Sequence, residues 1–130
     1  ELIIITGMAI GCDQWWAQAA LDLGLTVHAY LPFFGQESRW PKSAQEIYQA
    51  ILRQCEKIIY VSQGPYHPWK LQKRNRAMVD SADFAIAIWN GSSGGTGNCV
   101  SYIKHKKKSC LYVNPSSLED SWTHPNRETT

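Results

Sequence analysis

Apolar residues along this chain gather in five short runs: LIIIT (2–6), VHAYLPF (27–33), KIIYVS (57–62), DFAIAIW (83–89) and SCLYVN (109–114). Each has the length of a strand. The first and fourth are nearly unbroken, the pattern of strands covered on both faces. The segments between them carry a helical period instead. Trp16, Ala19, Ala20 and Leu23 fall at i, i+3, i+4 and i+7, and Gly24 follows as a stop signal. Residues 43–55 repeat the spacing with Ile47, Ile51 and Cys55. Residues 69–82 do so with Leu71, Met78 and Val79 beside a basic face, and 98–107 with Cys99, Val100 and Ile103. Such alternation predicts an α/β fold: a Rossmann-like three-layer sandwich on a mostly parallel sheet of about five strands. The domain is read as residues 1–114. Beyond it, NPSSLEDSWTHPNRETT is polar and aperiodic and reads as a loose tail (115–130), with Trp122 suited to dock back on the body.

Composition narrows the class without naming a function. A chain of 130 residues, 44% hydrophobic and 18% charged, makes one ordinary globular domain. No apolar run is long enough for a bilayer, so no membrane partner is expected. ELIII lacks the basic flank and the length of a signal peptide, and a first residue of Glu suggests a natural start further upstream. A net charge of +2 does not argue for nucleic acid. Cys12, Cys55, Cys99 and Cys110 form no CxxC pair and lie in or beside apolar runs, so they read as buried free thiols in a reducing, cytoplasmic setting. His28, His67, His105 and His124 show no ligand spacing, so no metal is expected. No cofactor is called for.

In open α/β sheets ligands bind beyond the carboxyl ends of the strands. Four loops qualify: TGMAIGCDQ (6–14), PFFGQESRWP (32–41), QGPYHPWKLQKRNR (63–76) and WNGSSGGTGN (89–98). The last holds four glycines and runs straight into a helix start. Free N–H groups and the helix dipole make an anion site there. Gly91, Gly94 and Gly95 would let phosphate oxygens reach the backbone, while Ser92, Ser93 and Thr96 add hydroxyl donors. The spacing is neither G-x-G-x-x-G nor the Walker pattern, which excludes the ordinary dinucleotide and P-loop readings. The plainer alternative is a flexible loop with Asn98 as N-cap. TGMAIGCDQWW repeats the design, with Gly7 in the turn and Asp13 either capping the helix or accepting from ribose or base. KLQKRNRAM places Lys70, Lys73 and Arg74 on one face, either solvated or, for Arg74, turned to phosphate. The run KHKKK (104–108) ends a helix, where cations are favourable in any case.

TGMAIGCDQWWAQAAL, LPFFGQESRWP and QKRNRAMVDSADFAIAIWNGSSGGTGNCVSY together resemble the SLOG superfamily of Rossmann-like nucleotide-binding proteins, nearest to its YpsA-like branch. The resemblance covers residues 2–114. It implies a preceding strand and helix with a TGHR-like turn, which this chain lacks. Within the superfamily, Lonely-Guy-type phosphoribohydrolases carry R-K-x-x-M followed by P-G-G-x-G-T-x-E. On that pattern Arg74 falls on the arginine, Asn75 on the lysine, Gly95 and Thr96 on the G-T, and Asn98 on the catalytic glutamate. An amide cannot ionise, so the resemblance implies a phosphate grip without that hydrolysis. The expected ligand is a nucleotide or nucleotide-derived signal. Gly91 to Thr96 would hold phosphate, Arg74 would neutralise it, and Asn98 and Asp13 would orient ribose or base. A sensor or sequestering role follows by analogy with SLOG domains of antiphage defence. The alternatives are a nucleoside-monophosphate N-glycosidase using Glu37 or Asp13, and an interaction module docking through Lys70 and Lys73. A homo-oligomer stays open.

Overall fold

The computed structural model describes residues 1–125. All five expected strands form, each end within two residues of its apolar run: β1 (Ile3–Thr6), β2 (Thr26–Leu31), β3 (Lys57–Tyr60), β4 (Phe84–Ile88) and β5 (Ser109–Val113). Helices α1 (Cys12–Asp22), α2 (Lys42–Leu52), α3 (Pro68–Ser81) and α4 (Gly95–His105) lie between them. The chain is therefore α/β. Its strands are hydrogen-bonded as two ladders of three, and the chain divides into two compact units, Glu1–Met78 and Val79–Thr130.

In the first unit the order is β1-β2-β3, all parallel, with Ile4 beside Val27 and Ala29 beside Ile58. Its core joins Ile4, Met8, Val27, Ala29 and Leu31 to Ala17 and Ala20 of α1 and Tyr48, Ile51 and Leu52 of α2. Burying each such large apolar side chain contributes about 1.5–3 kcal/mol. The face of α1 differs from the sequence reading. Gln14, Ala17 and Ala20 are buried, while Trp16 and Leu23 stand exposed. Small alanines let the helix approach the sheet closely, and Gln14 is admitted because its amide donates to Met8 O at 3.3 Å. On α2 the buried set is Tyr48, Ile51 and Leu52, and Ile47 is exposed. Gly24 does end α1: it sits at φ +73°, with its N–H on Leu21 O and that of Leu25 on Ala20 O.

In the second unit β4 and β5 are parallel. A sixth strand, β6 (Asp120–Thr123), returns antiparallel to β5, so this part of the tail is ordered in register. Asn114 makes the return: its Oδ1 accepts from Ser116 N and Ser117 N, and its N–H donates to Glu119 O. Trp122 packs on Phe84, ring centroids 6.0 Å apart. The core is small, comprising Val79, Ala87, Val100, Ile103 and Cys110. Phe84, Ile86 and Ile88 alternate outward and are exposed, so β4 is not the doubly covered strand its apolar run suggests.

Candidate ligand site

In the second unit, α4 begins three residues before the expected position, inside the glycine-rich loop. Gly94 is its N-cap, at φ 139° and ψ −163°, a conformation reserved almost wholly for glycine. No side chain caps this end, and Asn98 N donates to Gly94 O at 2.8 Å. Asn98 therefore lies one turn inside the helix, which removes it as an N-cap. The N–H groups of Gly95, Thr96 and Gly97 have no intrahelical acceptor at this position. Gly91, Ser92, Ser93, Gly94, Gly95 and Thr96 are all exposed. The loop is braced from beneath. Trp89 Nε1 donates to Ser92 O at 2.8 Å, and Ser92 N donates to Asn90 Oδ1 at 3.0 Å.

Its glycines are not equivalent. Gly91 has φ +90° and Gly94 φ +139°, so both need glycine for their backbone. Gly97 needs it for space, because a Cβ there would lie 2.8 Å from Ser92 O. Gly95 needs neither: its φ is ordinary and a Cβ would meet open space. Sequence reasoning left out Gly97, Asn90 and Trp89. Only the spacing of Trp89 and Gly97 around Ser92 carried that signal, and it is legible only once the loop is folded.

Gly7, Asp13 and Arg74 are gathered in the first unit. Arg74 is buried, with Nη1 donating to Gly7 O at 2.6 Å and Nε to Asn75 Oδ1 at 2.9 Å. Gly7 O also accepts from Gln36 Nε2 at 3.3 Å. Gly7 is glycine because Arg74 lies against it: a Cβ would sit 2.6 Å from Nη1. Met8 follows at φ 61° and is fully buried, an uncommon backbone for a side-chain-bearing residue. The N-cap of α1 is Gly11, again with no side-chain cap. Asp13 instead holds the loop, with Oδ2 accepting from Ala9 N at 3.2 Å.

The basic face of α3 is not a uniformly solvated one. Lys70 is only 6% exposed, and its Nζ donates to Gln63 O at 2.5 Å and to Pro65 O. It closes the loop after β3, while Lys73 and Arg76 remain exposed. Glu37 is buried and accepts from Gln49 Nε2 at 2.5 Å. Of the KHKKK run, Lys108 Nζ donates to Asp80 O and Ala82 O, at 3.1 and 2.5 Å. Lys104 Nζ stands 6.0 Å from the centroid of the Trp89 ring, placing a cation beside the tryptophan that braces the loop. Cys12 is exposed, against the expectation of four buried thiols; Cys55 and Cys99 are half-buried and Cys110 is buried. Among the described residues no group of three or more His, Cys, Asp or Glu is placed to hold a metal ion. No described helix is long and apolar enough to cross a membrane.

The YpsA family model, that of the YspA SLOG family, matches residues 1–115. The uncharacterized SPbeta prophage-derived protein YoqJ of Bacillus subtilis (strain 168) is 31% identical over 119 residues, covering 77% of this chain and 68% of that protein. The UPF0398 protein YpsA of the same strain is 29% identical over 102 residues, covering 74% and 56%. A UPF0398 protein of Bacillus pumilus (strain SAFR-032) is 28% identical over 102 residues, covering 74% and 54%. The chain thus spans about two thirds of YoqJ and just over half of these two UPF0398 proteins.

Proposed function

This chain belongs to the YpsA SLOG family, and from that premise we propose that it binds a nucleotide or a nucleotide-derived signalling ligand, as a sensor or sequestering module. The observation that carries the reading is the start of α4. An exposed loop delivers a helix N-terminus without a side-chain cap, through a Gly94 backbone that other residues rarely adopt. A phosphate would receive the N–H groups of Gly94 to Gly97 and the hydroxyls of Ser92, Ser93 and Thr96, with the helix dipole favouring its charge. Gly91 supplies the turn, Asn98 a neutral amide one turn in, and Lys104 a nearby cation. Gly7, Asp13 and Arg74 enter the proposal as the corresponding turn of the first unit, where Arg74 holds the Gly7 carbonyl. A cytoplasmic setting fits cysteines that are all unbridged.

The hydrolase alternative is supported less well. Asp13 is engaged on Ala9 N, and Glu37 is buried against Gln49. An acidic partner for α3 is supported less well too, since Lys70 is turned inward onto carbonyls. Calorimetry with adenosine mono- and diphosphate and ADP-ribose, on wild type and Gly94→Val, tests the proposal. Binding by wild type and its loss in a folded Gly94→Val are expected. Equal binding by both removes the loop from the site. Chromatography of the same mixtures should return the nucleotide intact, and free base released by wild type would favour the hydrolase.

A further inference from the structure

A groove of about 320 Å³ opens beside the glycine-rich loop in the second unit, between Trp89, Asn90 and Gly91 on one side and the β5–β6 return on the other. Its volume lies at the lower end of the range of small-molecule sites. Trp89 and Tyr112 provide apolar ring surface, their centroids 6.4 Å apart. Asn114, Glu119, Asp120 and Ser121 complete the lining, and no Lys, Arg or His is among the lining residues. Glu119 and Asp120 are exposed, and their carboxylates have no hydrogen-bond or ion-pair partner among the described residues. Asn90 and Asn114 each spend their Oδ1 on their own turn, on Ser92 N and Ser116 N, which leaves each amide NH₂ as a donor.

The groove and the loop therefore have opposite chemistry and share Gly91. The loop offers N–H groups to an anion. Asp120 pairs with Val113 and Tyr112 with Ser121, so Asp120 faces away from the ring. The groove offers the Glu119 carboxylate, which repels phosphate and accepts from O–H and N–H groups, beside an aromatic surface suited to a flat ring. Resting on the proposed phosphate loop, we infer that this groove is the seat of the nucleoside end of the same ligand, with Glu119 accepting its ribose hydroxyls or exocyclic amine.

Calorimetry on the full chain tests the assignment with four probes: inorganic pyrophosphate, ADP, 2′,3′-dideoxy-ADP and purine riboside diphosphate, which lacks the amine. The variants are Glu119→Gln and, as a control on the opposite face, Asp120→Asn, both on exposed positions of the return. Wild type should bind ADP at least tenfold more tightly than pyrophosphate. Glu119→Gln should bring ADP down toward pyrophosphate and leave pyrophosphate itself unweakened, and Asp120→Asn should leave the preference for ADP in place. The dideoxy probe deletes both ribose hydroxyls and the deaminated probe the exocyclic amine, and a loss of affinity with either supports the assignment while naming the group bound. ADP binding no tighter than pyrophosphate, ADP binding untouched by Glu119→Gln, or full affinity for both donor-deleted probes would each overturn the groove. Pyrophosphate that fails to bind, alongside ADP binding that depends on Glu119, would overturn the phosphate loop and retain the groove.

Discussion

Replacing Gly7 by Ala adds one methyl group against the guanidinium of Arg74, and the consequence has a definite sign. The new Cβ would lie 2.6 Å from Nη1, 2.8 Å from Cζ and 3.0 Å from Nε. Arg74 is buried, so the group cannot swing into water without leaving its place. The bond put at risk is Nη1–H to Gly7 O at 2.6 Å. A hydrogen bond to a charged group contributes about 1.5–3 kcal/mol, and a displaced buried charge adds to the loss. Against this stands a gain of about 0.4–1 kcal/mol, because Gly7 has an ordinary φ and Ala restricts the unfolded chain. The net expectation is a loss of about 1–2 kcal/mol, or about 1 M in urea midpoint for a slope near 1.5 kcal/mol/M. The decisive measurement is the cycle of Gly7→Ala, Arg74→Ala and both together, followed by urea unfolding. With Arg74 gone the clash disappears, and Gly7→Ala should become neutral or mildly stabilising. An equal cost in both backgrounds would refute Arg74 as the reason for glycine at this turn.

Lys107 stands at φ 55° where α4 ends, with Lys107 N on Lys104 O and Lys108 N on Ile103 O, so Lys107→Gly should raise stability by about 0.5–1 kcal/mol; a lower thermal midpoint would contradict this. Gly97→Ala should displace the loop and shift the Trp89 indole N–H signal in NMR, because a Cβ meets the Ser92 carbonyl, whereas Gly95→Ala should leave that signal in place. Burial raises the Tyr48 hydroxyl pKa above the ordinary tyrosine range. The neutral form is thus favoured by folding, and its stabilisation is complete below about pH 10 and lost as pH rises beyond it. Tyr48→Phe should flatten that alkaline loss in urea titrations, at a cost of about 1 kcal/mol at neutral pH, since Gln36 Nε2 loses its acceptor. Thiol reagents should label exposed Cys12 quickly and Cys110 only on unfolding, because burial excludes reagent and pushes its thiol pKa up; equal rates would count against the structure.

What could be read from the sequence alone was whatever rests on local periodicity. Strand and helix positions followed from apolar runs and i, i+3, i+4 spacing, and Gly24 announced the end of α1. The glycine-rich stretch announced a special loop, and the motifs around it announced the family. β6 was hidden because DSWT carries no apolar alternation and each of its residues is exposed, Trp122 by about half; its order comes from a backbone ladder with β5 and from the Asn114 turn. Register and side-chain partners needed the tertiary fold. Lys70 read as a solvated cation and Arg74 as a phosphate ligand, yet both are buried: carbonyls of Gln63 and Pro65 accept from Lys70, and that of Gly7, 67 residues away, accepts from Arg74. Gly95 and Gly97 look alike as letters and differ because only one of them faces a carbonyl. Periodicity records which residues prefer to leave water. Which of them meet, and which polar groups go in with them, is set by distances between segments far apart in the chain.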